Sequence, residues 1–387
     1  LSARTYLLTA GAFTIGTSGY IVSGVLPAVS RELDVSISTA GQLLTAFAIS
    51  YAIGSPLLAA ATGGWERRRL LVLALLVSGF GNALAAVAPN YQLLLASRVI
   101  SALGAAVYTP GATLVATVLT PPEYRGRAVA TVFGGLSLAL ILGVPLGSLL
   151  GGPLGYQGVF ALVAAVSVLA AVGVRVGLPK VPAPPVVGLR ERVAVAADRR
   201  VLLVLAITVL ACVAVFSVFN YVSPLLSTTT GADAKTVSFL LVAYGVGAVV
   251  GNVVGGRLTD RYGSKRVLLL VFGAFPLVLA TLPLTASSVP GAAVALFAWG
   301  FSAWASSPPI QHWLIDLSPR NSGLLLSLNA SAIYLGVGLA GAVGGLVIDW
   351  FGILWLPPVA ALFAVTAVVL IAPGQRSAAR TPSSSPG

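Results

Sequence analysis

Arg98 stands inside an apolar run, in ASRVISALGAA at 96–106. An ionised side chain in hydrocarbon marks an interior site or an ion path by default. It lies about seven residues, or roughly 10 Å, from the nearer end of its run, so snorkelling to that surface is the competing reading. A carboxylate would complete a proton relay. Yet the ten acids, Glu32, Asp34, Glu66, Glu123, Glu191, Asp198, Asp233, Asp260, Asp316 and Asp349, all fall in loops or at the ends of apolar runs. A buried acid carries a coupling proton and attracts a cationic substrate, and no mid-span residue is available for either task. His312, the only histidine, titrates in the physiological range but sits near the end of its run, which suits a structural histidine better than a coupling group. Cys212 is the only cysteine, so no intramolecular disulfide forms. No paired acids, metal-spacing cluster or activated nucleophile occurs in an apolar run, so no metal, cofactor or membrane-enzyme chemistry is expected.

The elements that must hold these groups are membrane helices. The 387 residues are 57% hydrophobic and 8% charged, with a mean hydropathy of +0.99, against about 25% charged in soluble domains. Twelve apolar runs are legible, at 6–29, 38–62, 70–88, 91–119, 127–152, 156–178, 201–227, 236–258, 266–286, 290–317, 323–349 and 353–373. Each approaches or exceeds the roughly 20 residues that span a bilayer. Threading them alternately puts Arg31 and Lys235 on one side and leaves Arg98 within a span. The other 19 of the 22 basic residues then share the side of both termini. By the positive-inside rule that side is cytoplasmic. The net charge of +12 is therefore topology and lipid contact, and no nucleic-acid partner is expected.

A constant offset of 197 relates the two halves: Pro27 pairs with Pro224, Trp65 with Tyr262, Arg68 with Lys265, Arg69 with Arg266, Pro122 with Pro319 and Gly126 with Gly323. The expected organisation is an all-α membrane protein of twelve transmembrane helices in two pseudo-symmetric six-helix bundles. The bundles cover 1–178 and 201–373, joined by a Pro-rich, basic cytoplasmic linker at 179–200. The stretch 374–387, ending RTPSSSPG, reads as a disordered cytoplasmic tail.

Between two of the runs lies GRLTDRYGSKR, 256–266, read as a tight loop whose Gly256 and Gly263 permit the reversal. Its pattern G-x-x-x-D-R-x-G-x-K-R, carried by Asp260, Arg261, Gly263 and Arg266, resembles the cytoplasmic loop signature of the major facilitator superfamily. That resemblance implies that Asp260 caps the N-terminus of a helix in the opposite half and helps hold the inner gate shut. The first-half copy, TGGWERRR at 62–69, has Gly63 where the acid belongs, with Glu66 as a partial stand-in and Arg68 among the bases. The fifth run resembles a motif of drug and metabolite antiporters, G-V-P-L-G-x-x-x-G-G. In it Gly143, Gly147 and Gly151 give one smooth face and Pro145 is expected to kink the helix. Across 6–373 the chain looks most similar to the bacterial arabinose-efflux and chloramphenicol-export branch. The resemblance links Arg98 to proton transfer or substrate binding, and it finds Ser18, Gly19 and Tyr20 where the branch often carries a first-helix acid.

Substrates of such transporters bind near the midplane between the halves, beside helix-breaking residues. Pro27 and Pro224, and Pro110 and Pro308–Pro309, are the candidates, with Tyr20, Tyr51, Tyr108, Phe219, Asn220, Tyr221, Trp299, Trp304, Gln311, Asn329 and Tyr334 around them. Aromatic rings bearing one polar atom suit amphipathic organic molecules. The expected activity is export of a small amphipathic molecule, neutral or anionic because Arg98 offers positive charge, with protons as the candidate coupling ion. Uniport or import of a neutral solute such as a sugar is the alternative. The expected setting is a monomer in the bacterial cytoplasmic membrane, contacting lipid and a small-molecule substrate.

Overall fold

The structure, a computed structural model, describes residues 3–121, 124–183, 198–318 and 322–371. Pro122, Glu123, Glu191, Pro319, most of the linker and the 374–387 tail lie outside them. Every regular element among the described residues is helical. The first half holds α1 (Ala3–Glu32), α2 (Ile37–Ala61), α3 (Arg67–Ala86), α4 (Tyr91–Val118), α5 (Arg125–Leu150) and α6 (Gly155–Gly177). The second holds α7 (Arg199–Phe219), α8 (Val222–Thr230), α9 (Ala234–Tyr262), α10 (Ser264–Thr285), α11 (Val289–Ala305), α12 (Ser307–Leu317), α13 (Ser322–Phe351) and α14 (Leu356–Ile371). Twelve spans among the described residues are long and apolar enough to cross a membrane, α11 with α12 making one of them.

Polar side chains at the ends start these helices, because the first N–H groups of a helix have no internal partner. Asn90 accepts from the Leu93 N–H, Asp198 from Arg200, Asp233 from Thr236 and Ser288 from Gly291. The Asp198 cap starts α7 at Arg199, inside the stretch read as linker. The charged stretch 256–266 is also shorter as a loop than its composition suggests. Helix α9 continues through Tyr262, and the reversal is made at Gly263 alone, at φ +80°. The prolines act unequally as well. Helices α1, α4 and α5 run unbroken through Pro27, Pro110 and Pro145. Breaks occur only in the second half, where Pro224 and Pro308–Pro309 fall in the first turns of α8 and α12 and their missing N–H groups cost no helical bond.

The two bundles repeat each other. Helix α2 begins at Ile37 and α9 at Ala234, α3 at Arg67 and α10 at Ser264, α5 at Arg125 and α13 at Ser322, each pair 197 residues apart. Missing Cβ atoms bring helices together within a bundle. On α1 and α5, a Cβ at Gly24 would collide with the Val144 carbonyl and one at Gly147 with the Ile21 carbonyl. Gly247, Gly251 and Gly255 of α9 likewise face the carbonyls of Phe297, Phe301 and Ala305 on α11. Such backbone approach replaces the hydrophobic drive that lipid cannot supply.

At the end where α1 and α7 begin, here the basic end, the chain leaving α6 is clamped to the α2–α3 turn. The Glu66 carboxylate accepts the N–H groups of Arg68 (2.8 Å) and Arg69 (3.1 Å) at the start of α3, and that of Val181 (2.9 Å). The Arg67 N–H donates to the Val181 carbonyl (2.9 Å), and the Arg68 guanidinium to the Leu178 carbonyl (3.1 Å). Glu66 is thus occupied within its own bundle and does not stand in for an acid reaching across to the other. Burial alone would raise its pKa, but the three N–H donors and the Arg68 charge outweigh it and hold the carboxyl below its ordinary 4.5. A lowered folded-state pKa stabilises above the unfolded value, and the gain is lost as pH falls through the folded one. Glu66→Gln should therefore lower the thermal midpoint at neutral pH, by about 1 kcal/mol of lost capping. The gap from wild type should narrow as pH falls through the lowered carboxyl pKa, as melts across pH in detergent would read.

Candidate functional site

Arg98 comes from α4 and is fully buried within the first bundle. Its guanidinium donates to the Ser18 carbonyl of α1 (2.5 Å) and to Asn82 Oδ1 of α3 (3.1 Å). It lies 4.9 Å from the Phe47 ring centroid of α2 and 5.2 Å from that of Phe160 on α6. Asn82 is held in turn, donating to the Ser78 carbonyl (2.8 Å) and to Ser18 Oγ (2.9 Å). The side chain does not snorkel; it points inward and ties four other helices of its bundle around one charge. Its acceptors are neutral, and among the described residues no carboxylate pairs with it. All four of these contacts are made within the first bundle. Asn82 escaped the sequence reading, although a bare amide in an apolar run was the sign that singled out Asn220 and Asn329.

The other candidates fall in four places. Tyr108 and Asn329 brace their own bundles: the Tyr108 hydroxyl donates to the Leu8 carbonyl (3.1 Å) in a niche left by Gly11, and Asn329 Oδ1 accepts from Thr208 (2.8 Å). Gln311 is exposed on α12 and donates to Ser307, close to the pair His312–Asp316 (3.1 Å). Asn220 and Tyr221 occupy the α7–α8 break near the far end. Tyr20, Tyr51 and Tyr334 line the seam between bundles, where Tyr20 stacks on Phe216 (6.5 Å, 9° between planes), whereas Trp304 donates to the Tyr244 hydroxyl of its own bundle (3.3 Å).

That seam closes like a zipper between antiparallel α2 and α13. From the far end inward, Ser38 Oγ donates to Asp349 (2.5 Å), and Gln42 packs on Gly345 and donates to the Gly341 carbonyl (3.5 Å). Thr45 lies on Gly341, Ile49 on Gly338, and Tyr51 stacks on Tyr334 with centroids 3.4 Å apart and 17° between planes. Tyr221 pins the outer part: its hydroxyl donates to the Gly341 carbonyl (2.8 Å), and a Cβ at Gly41 or Gly344 would displace its ring. The symmetry-related seam of α5 with α9 has Ser238 Oγ on the Pro145 carbonyl (3.1 Å) and Ile141 against Gly245. Gly143 and Gly147 of the same helix face α1 instead, and Gly151 sits beside Val25. The hydrogen bonds Ser38–Asp349, Gln42–Gly341 and Ser238–Pro145 between the bundles lie in the half of the spans away from the basic end.

The profile of the Major Facilitator Superfamily matches residues 8–225 and 204–387. The chain belongs to this superfamily. The inner membrane transport protein YdhP of Escherichia coli strain K12 is 34% identical over 368 residues, 94% of each chain. A chloramphenicol resistance protein of Streptomyces lividans is 35% identical over 280 residues, 70% of each. Among solved structures, a bacterial homolog of the human lysosomal transporter Spinster, in an inward-facing and unoccupied conformation, shares the fold with a TM-score of 0.76. It is 17% identical, over 97% of this chain and 98% of that one.

In this superfamily member Ser264 and Lys265 of the second-half loop pack on His312 (3.2 Å) and Trp313 (5.1 Å to the ring centroid) of α12. Asp260 and Arg266 are exposed, and among the described residues Asp260 accepts no hydrogen bond. Arg261 lies 5.3 Å from the Tyr262 ring centroid. Two outcomes follow from the geometry. Asn82→Leu should lower the thermal midpoint by about 2 kcal/mol, the loss of a hydrogen bond to a buried charge. Because Arg98 acts inside its bundle, ligand affinity of that variant should stay unchanged in a titration. Gly41→Leu should evict Tyr221 and part the far end. With Thr45→Cys in a Cys212→Ala background, an impermeant maleimide should then label position 45 faster than when Gly41 is kept.

Proposed function

We propose that this transporter exports a small, uncharged amphipathic organic molecule across a bacterial inner membrane by alternating access, with the basic end and both termini cytoplasmic. The observation that carries the reading is the aromatic middle of the seam, where Tyr20 meets Phe216 and Tyr51 meets Tyr334 between the bundles. Rings with a single polar atom offer large apolar contact and a few hydrogen bonds, which suits a neutral amphipath. Similarity to a chloramphenicol resistance protein supports an organic molecule as cargo, and the excess of bases at one end supports the orientation. In that orientation the bonded far end faces outward and the chain is inward-facing. Anionic cargo, expected while Arg98 was read as lining the site, loses its support once the guanidinium is spent on Ser18 and Asn82.

Uniport of a neutral solute is the second reading, favoured by the placement of the described acids at helix ends, where none is positioned for a mid-membrane proton relay. Thermal melts of purified protein with matched neutral, anionic and cationic amphipaths, phenicol-like compounds among the neutrals, test the cargo. Binding at 100 times the dissociation constant adds about 2.7 kcal/mol. Stabilisation should be confined to the neutral set. Preferential stabilisation by the cations would sink the reading. Vesicles carrying the best ligand then separate the two modes, because accumulation driven by a proton gradient requires coupled export and equilibration alone fits uniport.

A further inference from the structure

The α2–α13 zipper ends, toward the basic end, on two phenol rings lying face to face. Tyr51 is 14 residues into α2 and Tyr334 is 17 residues from the end of α13, so the pair sits near the middle of both helices. It is the innermost contact of the series that begins at Ser38 and Asp349, and so it roofs whatever space opens from the basic end. Each bundle supplies one ring. When α2 and α13 part at the far end, the stack must open, and each ring then presents a bare face to the space between the bundles. Rings stacked about 3.4 Å apart need only double that separation to admit one more planar ring.

The electrostatics of this slot select what would enter it. A phenol ring presents the negative face of its quadrupole, so a ring held between two of them is favoured when its own face is electron-poor. A cation would also be drawn to such faces, but Arg98 opposes it. Its guanidinium lies 4.9 Å from the centroid of Phe47, which stands one turn before Tyr51 on α2, and no carboxylate among the described residues pairs with that charge. An uncompensated positive charge behind one wall raises the potential at the slot without touching its contents. We infer that Tyr51 and Tyr334 sandwich an uncharged, electron-poor aromatic ring of the transported molecule. The inference rests on the export of a neutral amphipath proposed above and assigns the ring class and the two residues that read it.

Three neutral amides that differ only in bearing a 4-nitrophenyl, a 4-methoxyphenyl or a cyclohexyl group test it, with dissociation constants measured on purified protein and counterflow in proteoliposomes. The expected order of affinity is nitrophenyl, methoxyphenyl, cyclohexyl. Tyr51→Phe and Tyr334→Phe keep the rings and should keep the order. Tyr51→Leu or Tyr334→Leu should weaken nitrophenyl binding roughly three- to tenfold, the worth of one aromatic pair, and leave cyclohexyl binding unchanged. If one leucine variant fails to fold, the other and the phenylalanine pair carry the comparison. A flat series in the wild type, or equal losses for all three amides, overturns the sandwich while counterflow of the amides leaves neutral export standing. Wild-type protein that binds none of the three but takes a charged analogue overturns both.

Discussion

A charge left bare in hydrocarbon is costly, and that constraint arranges most of this protein. The described acids sit at helix ends, where Glu66, Asp198 and Asp233 turn the constraint to use by capping the first turns of α3, α7 and α9. Arg98 is the exception, and its surroundings show what keeping one charge inside requires. A backbone carbonyl from α1, an amide from α3 and two ring faces from α2 and α6 converge on it. These neutral acceptors take one N–H from each terminal nitrogen, leave the buried Nε without a partner, and do not cancel the charge. The first bundle is thereby fastened around a permanent positive centre, and the space beside it is biased against cations.

Among the described residues the second bundle has no counterpart of that centre. Its interior is held by rings, with Tyr244 against Trp299 (4.8 Å) and Phe219 (4.9 Å), and by the small-residue contact of α9 with α11. It also carries both helix breaks. A bundle tied at its middle and a bundle jointed at two places are mechanically unlike, although their helix starts repeat at a fixed offset. The joint at Asn220–Tyr221 places Tyr221 where it can fill the glycine socket of the far gate, and a straight helix would carry that ring elsewhere. The asymmetry is therefore functional in position: the jointed half supplies the pin and the rigid half supplies the seat at Gly41.

How much of this was legible follows from what each feature depends on. Span number, the 197-residue repeat and the superfamily loop are properties of local composition, and apolar length with recurring Gly, Pro and basic residues was enough to read them. The broken seventh and tenth spans were half legible, because proline marks a break only where its missing N–H falls in a first turn; Pro27 and Pro110 are carried inside intact helices. The site itself was read residue by residue, and that misled. Arg98, Tyr108 and Asn329 satisfy the same polarity argument as Tyr51 and Tyr334, but which face of a bundle each one takes is set by partners up to 121 residues away. Asn82 fell below notice for the same reason: its role exists only when α1, α3 and α4 are side by side.

The replacement of the first-half loop acid by Gly63 gains meaning from the two seams. At the far end the bundles are joined by Ser38–Asp349, Gln42–Gly341 and Ser238–Pro145, with Tyr221 seated behind them. At the basic end the chain retains one loop acid, Asp260, and spends the nearby Glu66 on clamping the linker to α3. A carboxylate at a helix N-terminus is worth about 0.3–1 kcal/mol when exposed, a contact that Gly63 has no side chain to make. Population ratios respond to small differences: about 1.4 kcal/mol is tenfold. The far seam is the end at which hydrogen bonds fasten the two bundles to each other. Under the export proposed above, the energy of binding cargo is used in parting the far seam, at the point where the two tyrosines meet.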